Sequence, residues 1–136
     1  MLSPKKEKYR RRFRPKTRRV AIKGDRLTFG KYGIKAMSAC WITDRQIESC
    51  RIVLARATRK QGKFWLRIFP DTPYTKKPPE VGMGAGKGDV SHYVVPVSPG
   101  RVLFELDGLD EKTARNVLQV VGTKLPVPVK FIERKE

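Results

Sequence analysis

The sequence predicts one domain that combines several short β-strands with two amphipathic α-helices. A chain of 136 residues can build one hydrophobic core but not two. Segments in which apolar and polar residues alternate, the period of a strand, lie on both sides of segments with the 3.6-residue period of a helix. A stretch rich in proline and glycine, residues 69–89, fits neither pattern and predicts an extended loop.

Charge is distributed unevenly along the chain. Lysine and arginine number 31 against 13 aspartates and glutamates, a formal net charge of +18. Residues 1–100 carry 24 basic and seven acidic side chains, whereas residues 101–136 carry seven and six. A protein this basic attracts polyanions at long range. Because the sequence has no apolar run of about 18 residues and no signal-peptide pattern, we expect neither a membrane partner nor secretion.

Residues 1–19 are expected to form a basic RNA-binding arm. They contain one acid, Glu7, and only three sizeable apolar residues, Leu2, Tyr9 and Phe13. We therefore expect the arm to be disordered alone and to fold when a polyanion neutralises it. Its arginines favour structured RNA, because guanidinium groups bind phosphates and stack on bases; a solubilising or transit-like tail is the alternative. The ten predicted RNA-binding cations are Lys5, Lys6, Lys8, Arg10, Arg11, Arg12, Arg14, Lys16, Arg18 and Arg19.

The first structured segment is predicted to consist of short strands between Arg26 and Cys40. Polarity alternates there, and Gly30 and Gly33 are predicted to break the strands. The apolar positions that carry the pattern are Leu27, Phe29, Ile34 and residues 36–40.

The first helix is predicted to start at Thr43 and to end at Gly62. Thr43 and Gln46 have the spacing of a capping box. The apolar side of the helix repeat consists of Ile47, Cys50, Leu54 and Ala57. A charged helix face is often only solvated, but the neighbouring basic arm favours RNA as the partner of this one. The candidate RNA-binding residues are Arg45, Arg56, Arg59 and Lys60 on the opposite side, with Arg51 beside the apolar stripe.

Residues 63–69 alternate as a strand and lead directly into the loop. The prolines that stiffen its first half are Pro70, Pro73, Pro78 and Pro79. The glycines that let the backbone approach another molecule are Gly82, Gly84, Gly86 and Gly88, with Lys87 as the charge among them. We expect the loop to contact another molecule; a solvated loop without a ligand is the alternative.

The glycines and lysine of the loop do not form a nucleotide-binding motif. A phosphate-binding loop of the G-x-x-x-x-G-K-[ST] type requires glycine at position 81 and a hydroxyl after the lysine. The sequence has Val81 and Gly88 at these positions. No frame of residues 82–88 fits the dinucleotide fingerprint either.

The remaining elements are predicted to be a β-hairpin, a second helix and a last strand. Residues 92–97 and 101–106 are predicted to pair across a turn at residues 98–100. Asp110 is predicted to cap the second helix and Gly122 to close it. Its apolar stripe comprises Ala114, Val117, Leu118 and Val121, and residues 127–132 are predicted to form the last strand.

We predict no catalytic residues, no metal site and no cofactor. Cys40 and Cys50, with the single histidine His92, do not form a zinc-ligand set, and both cysteines are expected to be small, reduced core residues. His92 is expected to be structural or on the surface. Ser91 points to the opposite face of the predicted strand, and the carboxylates are scattered among cations, so no nucleophile or acid–base pair is indicated.

Seven segments of the chain resemble the bacterial-type large-subunit ribosomal protein sixteen family, in its order and spacing. They are MLSPKKEKYRRRFR, FGKYGIKA, WITDRQIESCRIVLAR, GKFWLRIFPDTPYTKKPPEV, MGAGKGDV, PGRVLFELDGL and KLPVPVKF. The resemblance extends over essentially the whole chain. It implies an α+β domain at residues 20–136, with two helices packed on a mixed β-sheet that contains a hammerhead-like motif.

The same resemblance implies a structural constituent of the large ribosomal subunit, supporting translation and subunit assembly. The implied partners are large-subunit ribosomal RNA, other large-subunit proteins and tRNA in the aminoacyl and peptidyl sites, without a homo-oligomer. The implied location is the cytoplasmic ribosome, or that of an organelle. The family commonly has arginine at the position of Gly82 and lysine or another residue at that of Ala85. The expected tRNA-proximal residues are Lys76, Lys77, Gly82, Met83, Gly84, Gly86 and Lys87.

A free-standing RNA-binding assembly factor stays open as an alternative to a permanent ribosomal component. Co-sedimentation of the protein with large subunits, at one copy per subunit and in moderate salt, would indicate a permanent component and not an assembly factor.

Overall fold

A computed structural model describes residues 2–3, 24–75 and 90–134. In chain order the strands are β1 (Tyr32–Ala36), β2 (Cys40–Thr43), β3 (Lys63–Leu66), β4 (Thr72–Thr75), β5 (Val90–Val97), β6 (Val102–Asp107) and β7 (Val129–Glu133). The helices are α1 (Asp44–Ala57), between β2 and β3, and α2 (Glu111–Thr123), between β6 and β7. The predicted α+β class is confirmed. The basic arm, apart from Leu2 and Ser3, and the loop tip lie outside the described residues.

The strands form two antiparallel sheets, where the resemblance implied a mixed one. The larger sheet has the order β3-β6-β1-β7, and the smaller has the order β2-β5-β4. Strands β6 and β7 run in the same direction on either side of β1, and both pair with it in antiparallel register. The crossover through α2 therefore produces no parallel ladder, because β1 separates the two strands that it connects. The hammerhead-like motif stays a prediction.

Helix α1 starts where its capping box predicts. The hydroxyl of Thr43 accepts a hydrogen bond from the Gln46 amide (3.2 Å), and the Gln46 side chain accepts one from the Thr43 amide (2.9 Å). The helix ends at Ala57, five residues before the predicted stop at Gly62. Three of the four predicted apolar positions are buried, Ile47, Cys50 and Leu54.

Helix α2 is capped by Asp110, whose side chain accepts a hydrogen bond from the Thr113 amide (3.4 Å). It continues one residue beyond Gly122, the predicted end. Its buried residues Ala114, Leu118 and Val121 join one core cluster with the α1 stripe and the helix-facing side of the sheets. Leu2, which we expected in a disordered arm, is half-buried against this cluster.

The segment before β1 is irregular, although strands were predicted there. The amides of Thr28, Phe29 and Gly30 donate hydrogen bonds to the carboxylate of Glu105 instead of to another strand. Gly33, predicted to break a strand, lies inside β1. A side chain at Gly33 would meet Leu27 at 2.6 Å, so glycine permits the irregular segment to lie against the strand.

The predicted hairpin of β5 and β6 is wrong, because the two strands belong to different sheets. The turn itself forms, with Gly100 at φ 90° and the Arg101 amide bonded to the Ser98 carbonyl (3.3 Å). Each strand, however, already has two neighbours: β2 and β4 flank β5, and β1 and β3 flank β6. Neither strand has an edge left for the other.

The proline-rich loop begins later than predicted. Strand β3 ends at Leu66 instead of Phe69, and β4 follows within the predicted loop. Pro73 lies in β4, an edge strand, where a missing N–H removes no ladder bond on the open side. Residues 76–89, which join β4 to β5, lie outside the described residues.

Candidate nucleic-acid interface

The exposed side of α1 carries the cations that the sequence assigned to RNA. Arg45 and Arg56 are exposed on the helix, and Arg59 and Lys60 are exposed just after its end. None of the four forms an ion pair with another described residue. Because the apolar stripe holds the opposite side of α1 in the core, these charges face solvent on a fixed scaffold.

Arg51, also assigned to RNA, is partly neutralised within the helix. Its Nη2 lies 2.5 Å from Oε1 of Glu48, and its Nε lies 3.0 Å from Oε2. This bidentate hydrogen bond lowers the pKa of Glu48 and raises the pKa of Arg51. Arg51 is therefore a weaker candidate for phosphate binding than the four cations that have no ion-pair partner in the part of the chain that the structure describes.

A second cluster, which the sequence analysis missed, surrounds Glu105 in the larger sheet. Its carboxylate is fully buried. One oxygen accepts three hydrogen bonds, from the amides of Thr28 (2.9 Å), Phe29 (2.8 Å) and Gly30 (2.9 Å), and the other accepts one from the guanidinium of Arg67. Burial alone raises the pKa of Glu105, but these hydrogen bonds outweigh it and lower the pKa. The available signal was an acid, Glu105, between the apolar residues Phe104 and Leu106 of β6.

The Glu105 cluster holds an aromatic side chain at the surface. Phe29 is 54% exposed, and its ring stacks on Trp65, with ring centroids 6.0 Å apart and an interplanar angle of 20°. The Arg67 guanidinium carbon lies 5.4 Å from the centroid of the Phe29 ring. The sequence pattern assigned Phe29 to a strand, so its exposure was not predicted.

The arm cations and the tip residues of the loop lie outside the described residues. The structure describes the two strands from which the loop extends, β4 and β5, which pair up to Thr75 and Val90. We expected the strand at residues 63–69 to anchor the loop, but the β4–β5 ladder does so.

Cys50 lies in the core and Cys40 packs against it, as predicted. Cys50 is buried and Cys40 half-buried, and neither forms a disulfide. Burial raises the pKa of Cys40 to about 11 and that of Cys50 to about 12.

Among residues 2–3, 24–75 and 90–134, no three acidic, cysteine or histidine side chains are placed to hold a metal ion. No helix in the described part of the chain is both long and apolar enough to span a bilayer.

Comparison with known proteins relates the chain to proteins of the ribosome. Residues 4–132 match the sequence profile of the family described as ribosomal protein L16p/L10e. The chain is 53% identical to large ribosomal subunit protein uL16 of Macrococcus caseolyticus and, equally, to that of Staphylococcus carnosus. It is 52% identical to the same protein of Staphylococcus aureus strain Newman. Each alignment covers 100% of this chain and 94% of the relative.

These similarities define the class of the protein: it is a structural protein of the ribosome and not an enzyme. Within that class, the chain belongs to the ribosomal protein L16p/L10e family.

Proposed function

We propose that the chain is a structural constituent of the large ribosomal subunit and binds large-subunit ribosomal RNA through exposed cations. The observation that carries the proposal is the set of exposed cations on α1 and just after its end, opposite the buried face of the helix, none of which has an ion-pair partner among the described residues. Similarity over the full chain to large-subunit proteins of bacteria supports the same assembly and a cytoplasmic ribosome. Other large-subunit proteins are its expected neighbours.

The geometry of α1 suits the phosphate backbone of RNA. Arg45 and Arg56 lie three turns apart on one side of the helix, about 16 Å along its axis at 1.5 Å per residue. Guanidinium groups bind phosphates in bidentate fashion, and because the helix backbone is already ordered, only the side chains lose conformational freedom on binding. The arm adds ten more cations to this electrostatic attraction.

The salt dependence of binding tests the proposal. If about ten cations engage phosphates, the slope of log K against log salt lies near −7 to −9. Replacing Arg45 or Arg56 by glutamine should reduce the magnitude of this slope by about one each. Lys112→Gln, an exposed lysine on α2, is the matched control and should leave the slope unchanged. A slope shallower than about −3 contradicts phosphate neutralisation as the main contribution.

We also propose that the loop between β4 and β5 reaches tRNA in the aminoacyl and peptidyl sites. The support lies at its base, where the β4–β5 ladder keeps the two ends of the loop together. Lysines 76, 77 and 87 are the cations of the loop, and its glycines permit close approach of the backbone to a sugar-phosphate chain. Because Gly82 and Ala85 carry no charge, Lys87 is expected to make the largest contribution at the tip.

Ribosomes that carry tip variants test this second proposal. Lys87→Ala, Gly84→Val and Gly86→Val should each weaken tRNA binding while incorporation of the protein and its melting temperature stay near wild type. Lys112→Ala is the control for the loss of a lysine elsewhere. Wild-type tRNA affinity in all three tip variants, or unfolding as their main effect, contradicts the assignment of the loop to tRNA.

A further inference from the structure

We propose that a second RNA-binding surface lies on the larger sheet, on the side turned away from the helices, and that it holds an unpaired nucleotide of ribosomal RNA. We call it the Phe29 surface, and it consists of Phe29, Trp65, Arg67, Lys35 and Lys130. The inference rests on the proposed function, since it takes RNA as the partner. It adds a site that includes no cation of α1, the arm or the loop.

The strand register defines which side chains share this side of the sheet. Directly paired residues project to the same side, and successive residues alternate. Trp65 pairs with Glu105, and Glu105 pairs with Gly33, so these three positions form one row. The opposite side carries Ile34 and Phe104, which belong to the core cluster under the helices. Trp65 and Glu105 therefore face away from the helices.

The irregular segment before β1 lies against this side and positions Phe29. The Phe29 amide is bound to the buried Glu105 carboxylate, and its ring lies on Trp65. Gly30 permits the close approach, because a side chain there would lie 2.8 Å from the Leu106 carbonyl oxygen and 3.0 Å from the Trp65 ring. A large apolar ring is thus held exposed by a buried polar network.

Three cations form a second row beside the aromatic pair. The amide of Arg67 bonds to the carbonyl of Leu103 (3.0 Å). On β1, Lys35 lies between the core residues Ile34 and Ala36, so its side chain projects to the side away from the helices. The register of β1 against β6 shifts between Ile34 and Lys35, so Lys35 pairs with Val102, next to Leu103. Lys130 on β7 pairs directly with Lys35 on β1. The row therefore runs across the sheet from Arg67 through Lys35 to Lys130.

The Lys35–Lys130 pair indicates an anionic partner. Like charges directly opposite each other in a ladder, with Cβ atoms about 5 Å apart, destabilise the isolated sheet. Neither lysine forms an ion pair within residues 2–3, 24–75 and 90–134. A phosphate bound between them would remove this repulsion.

The combination of features favours a nucleotide over a protein segment. Single-stranded RNA is held by aromatic rings or guanidinium planes that stack on bases, next to cations that bind the backbone. Phe29 with Arg67 supplies the planar groups, and Lys35 with Lys130 supplies the phosphate contacts. A protein partner would need acidic groups opposite the lysines and an apolar group opposite Phe29.

Photo-crosslinking in assembled large subunits distinguishes these partners. Phe29 is replaced by p-benzoylphenylalanine, the subunits are purified and irradiated, and the adduct is digested with nuclease or protease. We expect a nuclease-sensitive adduct that maps to one segment of ribosomal RNA. The same photoreactive residue at the exposed Val120 of α2 is the matched control, and it should not label that segment. An adduct with a ribosomal protein, or no adduct at position 29, overturns the inference.

A second measurement uses conservative variants at the same position. In subunits with Phe29→Leu, acylation of the 2′-hydroxyl of the contacted nucleotide should rise by roughly fivefold or more, given the usual strength of base–aromatic stacking. Phe29→Tyr retains the ring and should match wild type. Equal reactivity in all three subunits overturns the inference. Absence of the wild-type chain from large subunits instead contradicts the proposed function, so the two failures are distinguishable.

Discussion

Arg67 donates a hydrogen bond to the buried carboxylate of Glu105. The bond links a buried side chain of β6 to a partly exposed cation that follows β3, on the side of the larger sheet turned away from the helices. The same carboxylate also accepts three backbone amides from residues 28–30. One acidic side chain therefore fixes both a cation and an exposed aromatic ring.

Glu105→Ala should lower the free energy of unfolding by about 3 kcal/mol, because it leaves three amides and a partly buried guanidinium without their acceptor. Urea denaturation of the free protein measures the change. Glu111→Ala is the matched control, since its ion pair with Arg115 is exposed and should contribute less than about 0.5 kcal/mol. Equal effects of the two substitutions would contradict a central role for the Glu105 cluster.

Stability should fall in acid, in part through Glu105. Its pKa in the folded protein is lowered, so the carboxylate stabilises the fold at pH values above its unfolded pKa, about 4.3. This contribution is lost as the pH falls through the folded pKa. Glu105→Gln should therefore flatten the decline in unfolding free energy below about pH 4. Glu48 and Asp110, whose pKa values are also lowered, should leave a residual slope. An unchanged slope in the variant would exclude Glu105 as a contributor.

Gly108→Ala should destabilise the protein by about 2 to 3 kcal/mol. Gly108 has a φ of 83°, and an added Cβ would lie 2.5 Å from the Cα of Gly62 in the connection between α1 and β3. Gly24→Ala is the control that measures backbone strain without a steric clash, because the φ of Gly24 is 73° but the nearest atom to an added Cβ is 3.7 Å away. The control should cost about 1 kcal/mol, and thermal unfolding compares the two. A cost at Gly108 no larger than at Gly24 would contradict the close backbone contact.

Cys50 should resist alkylation in the folded protein. Its side chain is buried, and its pKa is raised to about 12, so about one thiol in ten thousand is ionised at pH 8. Mass spectrometry after iodoacetamide treatment should find Cys50 unmodified until urea unfolds the chain. Cys40, half-buried with a pKa of about 11, serves as the internal comparison and should react slowly but first. Rapid modification of Cys50 in native buffer would show that the core opens without unfolding.

The sequence by itself determined the features that depend on neighbours within a few residues. The Thr43 capping box, the apolar stripe of α1 and its exposed cations follow from contacts three or four positions apart, which a helix always creates. The Asp110 cap was predicted for the same reason. Motif resemblance along the chain identified the family before any geometry was known.

Only the tertiary structure decided how the strands are shared between the sheets. The alternation of apolar and polar residues predicts that β5 and β6 are strands, but it does not predict which strands they pair with. In the structure β5 pairs with β2 and β4, and β6 pairs with β1 and β3, so the two belong to different sheets. The Glu105 cluster joins residues 75 to 77 positions apart, so no local pattern encodes it. It also accounts for the irregular segment at residues 28–30 and the exposure of Phe29, since a buried carboxylate satisfies backbone amides that a strand would otherwise have paired.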